Sequence, residues 1–138
     1  MRVKVRSDFT RRITDGRLHQ GITAGEDYFV IGLNNVELRV VDDNGEPVLY
    51  PKDLFEVVDP SLPAGWRFRE YQDGEYHLDP VVTGSPGFYE DFFGSNGDRV
   101  AQSTAHRLFR TALEAALAGG NDQDQHLIRR DLGRLKGS

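Results

Sequence analysis

The chain has 138 residues, 38% apolar and 28% charged, with no cysteine and a formal net charge of −5. That length suits one domain, or a small domain with an appendage, and the missing cysteines exclude a disulfide scaffold, a thiolate metal centre and a cysteine nucleophile. No apolar run reaches the ~18 residues of a membrane span, and the basic start Met1-Arg2-Val3-Lys4-Val5-Arg6 lacks the apolar stretch of a signal peptide, so a soluble cytoplasmic protein is expected.

In chain order, Val3 and Val5 alternate with Arg2, Lys4 and Arg6, which predicts a short strand. Turn signals follow at Thr14-Asp15-Gly16 and Thr23-Ala24-Gly25. The aromatic and β-branched run Tyr28-Phe29-Val30-Ile31-Gly32-Leu33 predicts a strand. After Asn34-Asn35, Val36, Leu38 and Val40 alternate with Glu37, Arg39 and Val41, so a second strand follows with one face buried. Asn44-Gly45 marks a hairpin whose returning strand is Val48-Leu49-Tyr50. Pro51 removes a ladder donor and pre-sets φ for a helical turn over Pro51–Phe55, before a last short strand at Glu56-Val57-Val58.

Beyond Pro60 a short linker leads to Trp66-Arg67-Phe68-Arg69-Glu70-Tyr71, an aromatic–charged alternation, and Gln72-Asp73-Gly74-Glu75 turns the chain into Tyr76-His77-Leu78. In Phe88-Tyr89-Glu90-Asp91-Phe92-Phe93, residues four apart form one broad aromatic face if helical. Val100, Ala101, Ala105, Leu108, Phe109, Ala112, Leu113, Ala116 and Leu117 recur at helical spacing, with Asn96 or Asp98 available as a cap and Gly119-Gly120 as a stop. In the polar tail, Leu127, Ile128, Leu132 and Leu135 repeat at intervals that fit either a short helix or a frayed end.

Charge is segregated. Residues 1–25 carry six Lys/Arg against two Asp/Glu and residues 99–138 seven against four, whereas residues 26–98 carry four against sixteen. Such an acidic middle repels nucleic-acid phosphates and suits a basic protein partner, unless the basic ends fold back on it.

No motif for chemistry appears. His19, His77, His106 and His126 lie 20 or more residues apart with no metal-ligand spacing, and no serine sits in GxSxG or SxxK. Neither phosphate-loop pattern occurs. Glu70, Asp73, Glu75 and Asp79 crowd one hairpin, where a carboxylate pair has the groups for glycoside hydrolysis, but turn chemistry accounts for them more simply. Asp42-Asp43-Asn44-Gly45-Glu46 departs from the calcium-loop spacing. No metal, cofactor or catalytic residue is therefore expected, and the chain reads as a non-enzyme.

The order of strand, long loop, strand, tight turn, strand, hairpin, strand, helical turn, strand resembles the Src-homology-3-like barrel, whose last two strands are joined by one helical turn, here Tyr50–Val58. The stretches Asp42–Asp59 and Pro86–Phe93 look like segments of small bacterial proteins, among them immunity-type proteins of polymorphic toxin systems. The expected architecture is α+β: a small antiparallel β-barrel over 1–59, a hairpin and helical segment over 60–120 packed on it, and a tail over 121–138. The resemblance implies a cytoplasmic immunity protein that occludes the active site of a basic toxin domain. The expected partner contacts are Asp42, Asp43, Glu46, Trp66, Glu70, Tyr71, Asp73, Glu75, Tyr76, Tyr89, Glu90 and Asp91. The alternative is a barrel module that regulates or scaffolds another protein, or that binds nucleic acid through Arg2, Lys4, Arg6, Arg11, Arg12 and Arg17.

Overall fold

A computed structural model describes residues 1–8 and 21–135, together with the backbone of 13–14 and 17–18. The turn expected at residues 15–16, His19 and the side chains of Arg11, Arg12 and Arg17 lie outside the described residues. The strands are β1 (Arg2–Val5), β2 (Ile13–Thr14), β3 (Arg17–Leu18), β4 (Asp27–Asn34), β5 (Glu37–Val41), β6 (Pro47–Pro51), β7 (Phe55–Asp59), β8 (Trp66–Glu70) and β9 (Tyr76–Pro80). A 3-10 turn (Lys52–Leu54) joins β6 to β7, and helices α1 (Phe88–Phe92), α2 (Arg99–Gly119) and α3 (Asp122–Arg134) complete the chain.

The fold is α+β. Seven strands form an antiparallel sheet along the path β6-β5-β4-β1-β7, with β9 added to β4 and β8 to β9, while β2 and β3 pair separately. The expected barrel is thus seen as an open sheet, and among the described residues no pairing joins β6 to β7. The long strand β4 is the hub: Asp27–Phe29 pair with β1, Val30–Leu33 with β5, and Leu33–Asn34 with β9. The hairpin at 66–80 therefore extends the same sheet that the first 59 residues build.

Because strand side chains alternate between faces, β4 supplies two cores. Tyr28 and Val30 join Val3, Val5, Leu38, Val40, Tyr50, Leu54 and Phe55 on one side. Phe29 and Ile31 join Val41 on the other, under Phe88 and Phe92 of α1, Ala105, Phe109 and Leu113 of α2, and Leu127 and Ile128 of α3. Helix α2 starts where Asp98 accepts hydrogen bonds from the Val100 and Ala101 amides and stops at Gly120, as its spacing predicts. The tail is a 13-residue helix capped by Asn121, whose side chain accepts from the Asp124 amide. Its last turn packs on the β5–β6 hairpin at Gly45, which has a positive φ of 77° and leaves no room for a Cβ against the Arg134 carbonyl.

The basic ends do fold back, but on few acids. Arg2 is buried, 3.2 Å from Asp124 and 3.9 Å from Asp27; Lys4 lies 4.0 Å from Asp27, and Arg134 3.5 Å from Asp43. Arg130 donates to the Asp27 carbonyl at 2.9 Å. Arg2 is consequently a bracket between β1 and α3 and does not face an outside phosphate as the alternative reading requires. Among the described residues no helix is long and apolar enough to cross a membrane.

Candidate functional site

The helix-facing side of the sheet changes character along β4. Phe29 and Ile31 are sealed beneath the helices, but where β4 meets β9 the sheet opens into a cleft of about 400 Å³ walled by the 83–87 loop and α1. Gly32 makes this possible: Asp79 Cβ would lie only 3.4 Å, and Arg39 Cβ 3.9 Å, from a Cβ at that position, so the absent side chain leaves the floor to those two residues.

Arg39 is the central cation. Its guanidinium lies 3.5 Å from the centroid of the Tyr89 ring and its Nη1 donates to the Pro47 carbonyl at 2.7 Å. Burial lowers its pKa, against the fields of Tyr89, Glu37, Asp79 and Glu90. Burial likewise raises the Asp79 carboxyl, against Arg69, His77 and Arg39, and Asp79 Oδ1 has no hydrogen-bond partner among the described residues. Tyr89 is pushed up to about 12 by burial, opposed first by Arg39. Arg69 holds the loop by donating to the Gly84 carbonyl, and a Cβ on Gly84 would collide with the Asp79 carboxylate. On the rim, His77 Nε2 meets Glu75 Oε1 at 3.0 Å and the half-exposed Tyr71 ring packs edge-on against His77 at 5.2 Å.

Four residues expected to meet a partner thus converge: Tyr71, Tyr89 and Glu90 line the cleft and Glu75 braces its histidine. Asp73 is exposed at the hairpin tip, where its Oδ1 accepts from the Glu75 amide, and Glu70 is exposed on β8. Asp91 is partly buried and its Oδ1 accepts from Asn96 Nδ2 at 3.0 Å. Tyr76 lies in β9 between residues of the opposite face; its ring stacks on Phe68 at 5.7 Å and its hydroxyl accepts from Lys52 Nζ at 3.2 Å.

The rest do not join this site. Asp42 is buried at 3% exposure, which corrects its assignment to the surface: Oδ2 accepts from the Tyr50 hydroxyl at 2.8 Å and Oδ1 from the Asn44 and Glu46 amides. Asp43 is committed within the molecule to the Tyr28 hydroxyl at 2.7 Å, Thr23 Oγ1 at 2.6 Å and Arg134. Glu46 is partly buried beside them. Trp66 packs on the first core and helps line a second, mainly apolar groove of about 560 Å³ between the 61–65 linker and α2.

Arg39 is the site residue that the sequence did not single out, because a lone arginine in an alternating strand carries no motif. Its signal is Gly32, a glycine inside an otherwise bulky strand, which marks a close approach of another element. Among the described residues no cluster of three or more His, Asp or Glu side chains could hold a metal ion. The cleft offers buried donors and acceptors inside an acidic, aromatic rim, an arrangement suited to receiving a polar side chain from another molecule. No family model, curated protein or solved structure matches this chain.

Proposed function

We propose that this chain is a non-enzymatic binding protein of the immunity type, acting in the cytoplasm, whose acidic, aromatic cleft rim covers the active site of a basic toxin domain. One observation carries this reading. Once the basic ends have paired with Asp27, Asp43 and Asp124, the carboxylates of Asp73, Glu75 and Glu90 remain exposed, and Glu90 lines the cleft together with a Tyr71 that is 49% exposed. Aromatic side chains among exposed carboxylates suit a surface presenting Lys and Arg: charge steers the encounter and the rings supply the buried contact. The finer likeness to a Src-homology-3-like barrel belongs to the same proposal, supported by the strand path β6-β5-β4-β1-β7 with a 3-10 turn between the outermost two.

The test is co-expression with each protein encoded by the reading frames that flank the gene, scored for a toxic basic domain, together with association kinetics at rising ionic strength. Protection from the toxin and an on-rate that falls about tenfold or more from low to high salt are expected. Replacing Asp73, Glu75 and Glu90 together by lysine should abolish protection while leaving the fold intact. Full protection by that variant, with salt-independent association, would refute the reading.

A further inference from the structure

Three adjacent strands lay one row of residues across the floor of the cleft. Arg39 of β5 pairs with Gly32 of β4. The β4–β9 register, Leu33 with Leu78 and Asn34 with His77, brings Asp79 to the other side of the same glycine. A guanidinium and a carboxylate therefore stand on the outer strands with a bare residue between them, two strand spacings or about 9–10 Å apart at the backbone. Arg39 Nη1 donates to the Pro47 carbonyl and the face of its guanidinium lies on Tyr89, so its hydrogen bonding is not spent on Asp79. Asp79 Oδ1 is buried with no hydrogen-bond partner among the described residues. A buried acceptor left unpaired carries its full desolvation cost, which an arriving donor relieves.

We propose that this row is a slot for a neutral primary carboxamide, the end of a glutamine or asparagine side chain carried by the bound polypeptide. Its carbonyl accepts from Arg39 and its amide nitrogen donates to the Asp79 carboxylate, with the planar group lying over Gly32. The charges select this chemistry by refusing the alternatives. An added cation is repelled by Arg39, Arg69 and, when protonated, His77, the groups whose positive charge acts on Asp79. An added anion is repelled by Asp79, Glu37 and Glu90, the carboxylates that act on Arg39. An apolar end of the same shape leaves both the guanidinium and the carboxylate without the bond they lack. A carboxamide carries an acceptor on one side and a donor on the other, and neither charge rejects it. The cleft, at about 400 Å³, has room for the neighbouring residues of the bound segment against Tyr71 and Glu90 at the rim. The inference rests on the cleft being the contact surface and deepens that reading by naming what enters it, but it does not require the partner to be a toxin.

The probes are N-acetyl-glutamine N-methylamide and its glutamate, methionine and arginine counterparts, titrated into the full chain and followed by amide NMR shifts. The capped backbones are identical, so only the side-chain end differs. The glutamine compound should bind about tenfold or more tighter than each of the others, with shifts centred on Gly32, Arg39 and Asp79. Gly32 has no positive φ, and a Cβ there meets Asp79 Cβ at 3.4 Å and Arg39 Cβ at 3.9 Å, ordinary contact distances. Gly32→Ala therefore keeps the fold, stands a methyl group in the slot and should erase the glutamine preference. Asp79→Asn offers a donor where the acceptor was and should move the preference to the glutamate compound. No binding of any probe, equal binding of all four, a native preference for arginine or glutamate, or a folded Gly32→Ala chain that still selects glutamine would each overturn the proposal. Protection from a toxin without glutamine selectivity refutes this inference alone, whereas glutamine selectivity without protection leaves it standing and counts against the toxin reading.

Discussion

Asp131 in α3 gives the sharpest test of the packing between α3 and the sheet. Its side chain is 1% exposed and neither carboxylate oxygen has a hydrogen-bond partner among the described residues. Arg130 Nη2 lies at 3.7 Å, longer than a hydrogen bond, and is already committed to the Asp27 carbonyl, while Arg134 is shared with Asp43 of the β5–β6 hairpin. Arg110 of α2 reaches α3 as well, but spends its Nη2 on the Leu132 carbonyl. Burial therefore outweighs both flanking arginines and raises the Asp131 carboxyl from its ordinary 3.8 to about 7. In the unfolded chain the group ionises near 4, but in the folded chain it keeps its proton until near 7. Between those values unfolding releases a proton, so the stability this group contributes is complete below pH 4, declines as pH rises and is gone above pH 7. At about 1.4 kcal/mol for each of the roughly three intervening pH units, the loss amounts to ~4 kcal/mol. Asp131→Asn removes the titration while keeping the shape. Urea denaturation of both proteins from pH 4 to pH 8 should show similar stability at the acidic end and a more stable variant at the alkaline end. Every other titrating group, Asp79 included, cancels in the difference. A variant that matches the wild type's pH slope, or is less stable at pH 8, would refute the account.

The same packing makes Gly45 irreplaceable: Gly45→Ala forces a positive φ on a side chain and drives its Cβ into the Arg134 carbonyl. A loss of about 1–3 kcal/mol is expected, with hydrogen exchange accelerating first in α3. Phe109, 1% exposed and in ring contact with Phe92 at 5.3 Å and Tyr89 at 6.5 Å, centres the second core. Phe109→Ala should cost about 3–5 kcal/mol in urea denaturation and, by loosening Tyr89, disturb the cleft around Arg39. An unchanged chemical environment at Tyr89 in that variant would show that the cleft is held by the loop instead.

Local physics settles much of this molecule before any contact is made. The apolar stripe from Val100 to Leu117, a capping Asp98 and the closing Gly120 specify α2 through side-chain spacing and end chemistry alone. Asn44-Gly45 specifies a turn because glycine takes the positive φ it needs, and Pro51 marks the end of β6 and the start of the helical turn before β7. These are interactions among residues a few positions apart, which the order of residues encodes directly. What the tertiary structure alone decided is where the charges go. Asp42 looks like a turn acid, yet Tyr50, eight residues on, closes over it. Arg39 carries no motif, yet α1, fifty residues later, lays Tyr89 on its guanidinium. The polar tail becomes α3 because the sheet and α2 offer an apolar surface to Leu127 and Ile128, a gain no isolated 13-residue helix has. Burial is a property of distant neighbours, and so are the desolvation and the pairing that give each carboxylate and guanidinium its role.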